Sequence, residues 1–551
     1  MDKESAINTD IVARTFFMAY KELISKLEEA LQKAMVQNSY IKKEFEEKNI
    51  KPVDFAKKLL GQIVFLYFLQ KKGWLGVTKN EDGQFKKWGT GPKNFLRKLF
   101  EKEIVPYNNF YDEILEPLFY EAMATARDDD YYTRFECKIP FLHDELFKPI
   151  NDYNWAGIAI GLDNKIFDQI LSTFDRFNFS VKEDEPLDKK VAVDPEMLGK
   201  VFESLLEVQD RKSKGTFYTP REIVHYMCQE CLLNYLEINT PISRTDIEQF
   251  IQLGNSLCNQ IPDGKNIIKI HNKMDKFQER NPFLKSIREQ YLKIDELLKV
   301  IKIVDPAVGS GAFLIGMLNE IVKIRSILSN YFGDIRNNYD LKRETIENCL
   351  YGVDIESSAV DIAKLRLWLS LIVDEIDTIN LKPLPNLNQK IMCGNSLIED
   401  FELFDEKLVG SIQRDKFRKI FSWKKNFNEA FHRNNPGFDV VISNPPYIDS
   451  ETMVKQNNNL RELYSKIFQS AKGNWDLFIL FIEKGMNLLR QNGVMSYIIP
   501  NKLIGAKYSE SIRKLLIKKN MKEVRDYSLV NIFKEADVYP VTFILLNNSQ
   551  K

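Results

Sequence analysis

Asn444-Pro445-Pro446-Tyr447 stands at the end of an apolar, strand-type run, FDVVIS, over residues 438–443. Two consecutive prolines cannot continue a strand ladder, because each lacks an amide hydrogen and fixes its own φ. An amide side chain, a rigid turn and an aromatic ring at one strand end suit a particular chemistry. The exocyclic amine of a nucleobase is a poor nucleophile, since its lone pair is delocalised into the ring. Two acceptors that take both amine hydrogens draw the nitrogen toward a tetrahedral form and release that lone pair. The Asn444 side-chain oxygen and the Pro445 carbonyl are such a pair, and the two prolines hold the carbonyl in place. Tyr447 adds a ring face for the base, a stack worth about 1–3 kcal/mol. The competing reading is a structural turn.

Four further stretches carry chemistry of their own. In IVDPAVGSGAFLIGML, residues 303–318, a strand ends at Asp305 and Gly309-Ser310-Gly311 leads into a helix. Glycines there let main-chain amides approach a ligand, and the helix start favours a negative group. The dinucleotide fingerprint is incomplete, because Leu314 occupies the third glycine position. In LYGVDIESSAV another strand ends in an acid, Asp354. Its carboxylate suits both hydroxyls of a ribose, or equally the dipole of the helix that follows. CGNSLIED places Asn395, a short polar group able to meet an adenine edge, after a third strand. KGTFYTPREIVHYM, residues 214–227, sets an aromatic and hydroxyl loop before Pro220, which suits the first helical turn or serves as a simple cap. A methyl donor held at the glycine loop could be attacked in line by the gripped amine, with positioning and electrostatics supplying the catalysis.

Other reactive residue types lack a pattern. Cys228 and Cys231 form C-x-x-C, but they lie in helical text with no second pair and read as two helix-face cysteines. The histidines at 143, 225, 271 and 432 are isolated. Asp128-Asp129-Asp130 with Glu136-Cys137-Lys138 is the one Glu-x-Lys preceded by nearby acids, and it lacks the strand context of a nuclease.

The elements that must position these residues follow from periodicity. KVIKIVD, CLYGVDI, KIMCG, FDVVIS, GVMSYIIP, EVRDYSLV and PVTFILL are seven strand candidates, most of them separated by helical text. Such alternation predicts an α/β architecture with a doubly wound, mostly parallel sheet, which binds ligands at the carboxyl ends of its strands where the strand order switches. The front of the chain reads as helical, with apolar residues at three-to-four spacing in KELISKLEEALQKAM and DFAKKLLGQIVFLYFLQKKG. SVKEDEPLDKKVAVDP, residues 180–195, is the best linker candidate. Three parts are expected: a helical N-terminal or connector domain over 1–180, a helical lead-in with the GTFYTP loop over 181–300, and a catalytic core over 301–551.

Composition sets outer limits. The chain has 551 residues, 44% apolar and 28% charged, with formal net charge zero. That argues against a wholly basic nucleic-acid coat and leaves room for a local basic groove. Residues 411–425 and 511–525 each carry six Lys/Arg against one acid, and each reads first as a solvated face rather than a phosphate track. MDKESAINTD is no secretory signal, IVFLYFL is too short to span a bilayer, and six scattered cysteines suit a reducing cytoplasm.

The order GTFYTP, DPAVGSGAF, GVDIE, GNSL, NPPY resembles the gamma class of amino-methylating DNA methyltransferases, which use S-adenosyl-L-methionine. It is most similar to the methyltransferase core of type IIG restriction-modification enzymes, from about Phe167 to Leu546, including VDPEMLGKVFESLL before the GTFYTP loop. The resemblance implies a Rossmann-like fold and transfer of a methyl group to the N6 amine of a flipped adenine in double-stranded DNA. It implies that Phe217, Tyr218 and Thr219 close over the methionine end of the cofactor. Asp305, Ala307, Gly309 and Gly311 would line its amino-acid part. Asp354 would hold the ribose, Ile355 would pack on the adenine, and Asn395 and Ser396 would lie at that ring's edge. Asn444, Pro445, Pro446 and Tyr447 would grip the target base, with Phe533 or Tyr539 on its far face. Asn rather than Ser at the first position favours adenine-N6 over cytosine-N4. Members of this group also carry a nuclease and a target-recognition domain, which are expected here from a separate subunit or further domain. Methylation of protein glutamine or of RNA, and a non-catalytic DNA-binding subunit, are the rival readings.

Overall fold

The computed structural model describes residues 3–142, 146–179, 192–193, 219–258, 283–332, 336–374, 381–399, 421–530, 532 and 538–548. Most of the 180–195 linker candidate lies outside them. The chain divides into two compact units, Met1–Leu205 with Lys364–Asn386, and Leu206–Ala363 with Leu387–Lys551.

In the second unit all seven strand candidates join one sheet. They are β1 (Ile303–Asp305), β2 (Leu350–Asp354), β3 (Ile391–Cys393), β4 (Phe438–Ser443), β5 (Leu489–Pro500), β6 (Asn520–Asp526) and β7 (Pro540–Leu546). Their order across the sheet is β6-β7-β5-β4-β1-β2-β3. β1 to β5 run parallel, whereas β7 is antiparallel to both β5 and β6. This is a doubly wound, mostly parallel sheet. The order reverses at β1, which lies between β4 and β2, so the ligand crevice falls at the carboxyl ends of these strands. β1, β4 and β7 are buried throughout, which explains their unbroken apolar text. β6 is an edge strand with exposed Lys522, Arg525 and Asp526, charges that discourage pairing with another chain.

Helices Arg221–Asn239, Arg244–Cys258 and Phe283–Val300 belong to this unit, the first of them packed on β4 and β5. Cys228 and Cys231 are wholly buried on its core side, and burial pushes both thiols up, Cys228 well above its ordinary value. Buried Arg325 ties three helices together. Its guanidinium donates to Asp295 at 2.9 Å and to Glu344 at 2.7 Å. The amino-end rim of the sheet is also stitched by charge. Asp439, at the start of β4, is buried and accepts from Arg433 at 2.9 Å, from the Lys302 amide at 2.8 Å and from Arg490. Nearby, Glu429 accepts from Tyr351 at 2.6 Å and from Lys390 at 2.8 Å. These donors hold the Glu429 carboxyl down at about 2 despite its partial burial.

The first unit is built on helices Lys3–Gln37, Ser39–Glu47, Pro52–Lys72 and Asn164–Phe174. The third starts with proline at its first position and ends at Gly73 in the left-handed region, an ordinary pair of stops. IVFLYFL lies within it and is buried all round. Among the described residues no helix is long and apolar enough to cross a membrane. Two wide π-type turns, Tyr111–Leu115 and Leu118–Met123, flank Glu116-Pro117, where proline removes a helical donor. Glu116 is buried and accepts from the Tyr153 hydroxyl; burial pushes its carboxyl up to about 8. Asp128–Asp130 form a short turn beside a two-residue ladder of Tyr131–Tyr132 with Cys137–Lys138. The Lys138 ammonium lies 5.2 Å and 4.9 Å from the ring centres of Phe85 and Trp88.

Candidate active site

The carboxyl ends of β4, β1, β2 and β3 stand side by side, and each delivers a residue singled out above. In the parallel ladders Asp305 pairs with Gly352, and Asp354 with Cys393. The last residue of β4, Ser443, donates its hydroxyl to the Asp305 carboxylate at 2.6 Å. The Ala307 amide donates to the same Asp305 oxygen at 3.0 Å, which curls the chain off β1 toward the glycines. That loop is then tied to β2, with the Gly309 amide donating to Asp354 Oδ2 at 2.9 Å. The Glu356 amide donates to Oδ1 at 3.0 Å. Burial raises the Asp354 carboxyl to about 6, partly offset by these amide donors.

Gly309 and Gly311 both have positive φ, +50° and +81°, which side chains other than glycine adopt at a cost. Their surroundings differ. A Cβ on Gly311 would lie 3.1 Å from the Ala363 Cβ, whereas a Cβ on Gly309 would enter open space. Gly311 therefore serves packing, and Gly309 faces open space. Ile355, directly after Asp354, is 54% exposed, an apolar side chain left uncovered.

The loop after β3 is held internally. Asn395 Oδ1 accepts from the Leu397 amide at 2.9 Å, and its Nδ2 donates to the Tyr464 hydroxyl at 3.3 Å. Ser396 donates to the Pro306 carbonyl at 2.5 Å, linking the β3 and β1 loops. Both residues thus shape the wall of the crevice through their own chain.

The Asn-Pro-Pro-Tyr turn is braced on three sides. Asn444 Nδ2 donates to Thr219 Oγ1 at 3.0 Å, and Thr219 is itself buried. The Tyr447 hydroxyl donates to the Ile498 carbonyl of β5 at 3.0 Å. Ile448 accepts from the Leu477 amide at 2.9 Å, and Asp476 accepts from the Ser450 amide at 3.3 Å and the Tyr508 hydroxyl at 2.6 Å. Hydrogen bonds therefore link Thr219, Asp305, Ala307, Gly309, Asp354, Asn395, Ser396 and the Asn444 turn along one rim. Phe217, Tyr218 and Phe533 lie outside the described residues. Tyr539 is 56% exposed, and its carbonyl accepts from the Asn501 amide at 2.7 Å. Ser443 and Asp476 were not legible as site residues. Serine beside the tetrapeptide was the one available signal, and it has meaning only once β4 is known to neighbour β1.

A parallel sheet that switches order at β1, with an acid ending each of β1 and β2 and a glycine loop between them, defines a Rossmann-like fold with its candidate site at the switch point. Residues 348–533 match the model of the Eco57I restriction-modification methylase family. The chain is 33% identical over 361 residues to a candidate type II restriction enzyme and methyltransferase of Methanocaldococcus jannaschii, covering 62% of this chain and 27% of that one. It is 25% identical over 488 residues to the Escherichia coli type II restriction enzyme and methyltransferase RM.Eco57I, covering 79% of this chain and 47% of that one. The chain thus spans about a quarter and about half of the length of these two relatives. Its fold is similar to that of the type IIL restriction-modification enzyme MmeI, solved in complex with DNA, with a TM-score of 0.57 at 14% identity over 97% of this chain and 57% of that one.

Proposed function

We propose that this chain transfers a methyl group from S-adenosyl-L-methionine to the N6 amine of an adenine flipped out of double-stranded DNA, as the modification activity of a restriction-modification system. The observation that carries this reading is the placement of Asn444 and Pro445 at the end of β4, directly beside the Asp305 and Gly309 loop of β1. The residues present fit the cofactor. Gly309 opens onto free space, the Asp354 carboxylate ends β2 beside it, where it would meet a ribose, and Ile355 offers an uncovered apolar side chain for a purine. Phe217, Tyr218, Asp305, Ala307, Gly311, Asn395 and Ser396 complete the assignment carried by the sequence resemblance. Bound there, S-adenosyl-L-methionine supplies the transferable methyl group.

The chain's own residues do the rest. Asn444 Oδ1 and the Pro445 carbonyl take the two amine hydrogens and orient the nitrogen lone pair. Pro446 fixes the turn, and the Tyr447 hydroxyl, bonded to Ile498, pins the ring on which the base stacks. Extrusion of the base costs a few kcal/mol, recovered in part by that stack. Phosphate contacts, and a nuclease and target reader, are assigned to basic surface residues and to further domains or subunits.

Asn444→Ala should retain cofactor binding by calorimetry and lose transfer of labelled methyl to unmethylated bacterial genomic DNA. Undiminished transfer by this variant removes Asn444 from the mechanism. Label entering only protein or RNA rejects the DNA assignment.

A further inference from the structure

The GTFYTP loop reads in sequence as a cover for the methionine end of a cofactor, yet its threonine is spent on something else. Thr219 Oγ1 accepts a hydrogen bond at 3.0 Å from the side-chain amide of Asn444, 225 positions away. Thr219 is 3% exposed, so water does not compete for that bond. Its position is also rigid. Pro220 follows directly and opens helix Arg221–Asn239, accepting from the Ile223 and Val224 amides at 3.0 Å and 3.1 Å. That helix packs against β4 and β5, the two strands that carry the Asn444 turn and the Tyr447 anchor.

An asparagine amide is nearly symmetric in shape and opposite in chemistry at its two ends. Rotated by half a turn, it offers two donors where the oxygen stood. The proposed chemistry needs the oxygen toward the base, because an amine hydrogen facing an NH2 group is repelled. In the structure the hydroxyl of Thr219 accepts from Nδ2, so the amide nitrogen is the end held at Thr219 and the oxygen is the end turned away from it.

We infer that Thr219 is a positioning residue for the target base rather than a cofactor ligand: it sets the orientation of the Asn444 amide and so the acceptor that the amine meets. The inference rests on the reading of Asn444 given above. It predicts a split that a structural role or a cofactor role would not produce. Thr219→Val keeps the shape of the side chain and removes the acceptor. It should lower the turnover number about 10- to 100-fold, the effect of leaving a buried donor unmatched. Affinity for S-adenosyl-L-methionine should stay within about twofold. Thr219→Ser, which restores the hydroxyl, should return turnover to within about threefold of the parent protein.

The test measures cofactor affinity by calorimetry and methyl transfer at saturating S-adenosyl-L-methionine to unmethylated bacterial genomic DNA, for the full protein and for Thr219→Val, Thr219→Ser and Asn444→Ala. Weakened cofactor binding in Thr219→Val with full turnover at saturation overturns the inference and returns the residue to the cofactor. Parent-like turnover in Thr219→Val beside an inactive Asn444→Ala overturns the inference and leaves the mechanism standing. An active Asn444→Ala overturns both.

Discussion

The proposed cofactor site should be sensitive to pH through Asp354, and the direction follows from its bonds. Its carboxyl stands at about 6 because burial penalises the charge more than the Glu356 and Gly309 amides stabilise it. An ordinary aspartate lies near 3.9, so holding this one ionised costs roughly 3 kcal/mol at 1.36 kcal/mol per tenfold change in proton affinity. In the proposed site ribose hydroxyls would donate to the ionised form, so bound cofactor would favour the charge and proton uptake would oppose binding. Above pH 7 affinity should be flat; below 6 it should fall by about tenfold per pH unit, so that binding at pH 5 is roughly tenfold weaker than at neutrality. Asp354→Asn perturbs the site differently. Two main-chain amides, from Gly309 at 2.9 Å and Glu356 at 3.0 Å, aim donors at the carboxylate. An amide side chain can answer one of them with oxygen and must oppose the other with NH2. The clash, worth about 1–3 kcal/mol, loosens the glycine loop as well as removing the charge. Affinity for S-adenosyl-L-methionine at pH 7.5 should drop about 10- to 100-fold, and the slope between pH 5 and 7 should vanish. Titration calorimetry of both proteins across this range provides the assay, with the variant as the baseline for the ligand's own ionisation. Equal slopes in the two proteins, or an Asp354→Asn protein that binds as tightly as the parent, would refute the argument.

Three other perturbations have defined outcomes. Gly309→Ala should reduce stability by about 1–2 kcal/mol, the cost of a side chain at positive φ, while its Cβ enters the open space there and weakens cofactor binding; denaturant melts paired with calorimetry separate the two effects. Glu116 has its carboxyl raised to about 8, so its contribution to stability is fully present below its unfolded value near 4.5 and is lost as pH rises through 8. Glu116→Gln should therefore flatten the decline of stability between pH 5 and 9, visible in thermal melts, and should leave cofactor affinity unchanged. Arg325→Met removes one of two cationic partners from each of Asp295, which keeps Arg336, and Glu344, which keeps Lys299; a loss of about 1–3 kcal/mol in urea unfolding is expected.

The strands were legible because their text is apolar, short and punctuated: each of the seven candidates contributes a strand to the sheet, FDVVIS and PVTFILL coincide with β4 and β7 to the residue, and EVRDYSLV leaves the sheet after Asp526. Direction was not legible. Nothing in PVTFILL announces that β7 runs against β5, since a strand buried on both faces reads the same either way. β5 starts at Leu489, ahead of the GVMSYIIP text, because its ladder with β4 slips register between Phe438 and Val440 and so accommodates a polar stretch. Of the candidate site, the residues at strand ends could be found from type and position alone, because the chemistry of an acid or amide after an apolar run is local. Partners distant in sequence could not. The bonds Thr219 to Asn444 and Ser443 to Asp305 join residues brought together only by the order of strands, and Asn395, assigned to a ligand edge, is engaged with its own loop. The π-type turns around Glu116-Pro117 were hidden because a proline after a helical run predicts a stop, and here the helix widens instead.

The clasp around Asp439 and Glu429 sits at the end of the sheet opposite the crevice. Cohesion and chemistry are thereby quartered at opposite poles of the same strands. A lineage could exchange loops at the reactive pole, and with them its preferred ligand, without unfastening what keeps the strands in register. The reverse also holds: damage to the clasp would lower the yield of folded protein while each surviving molecule worked at full speed.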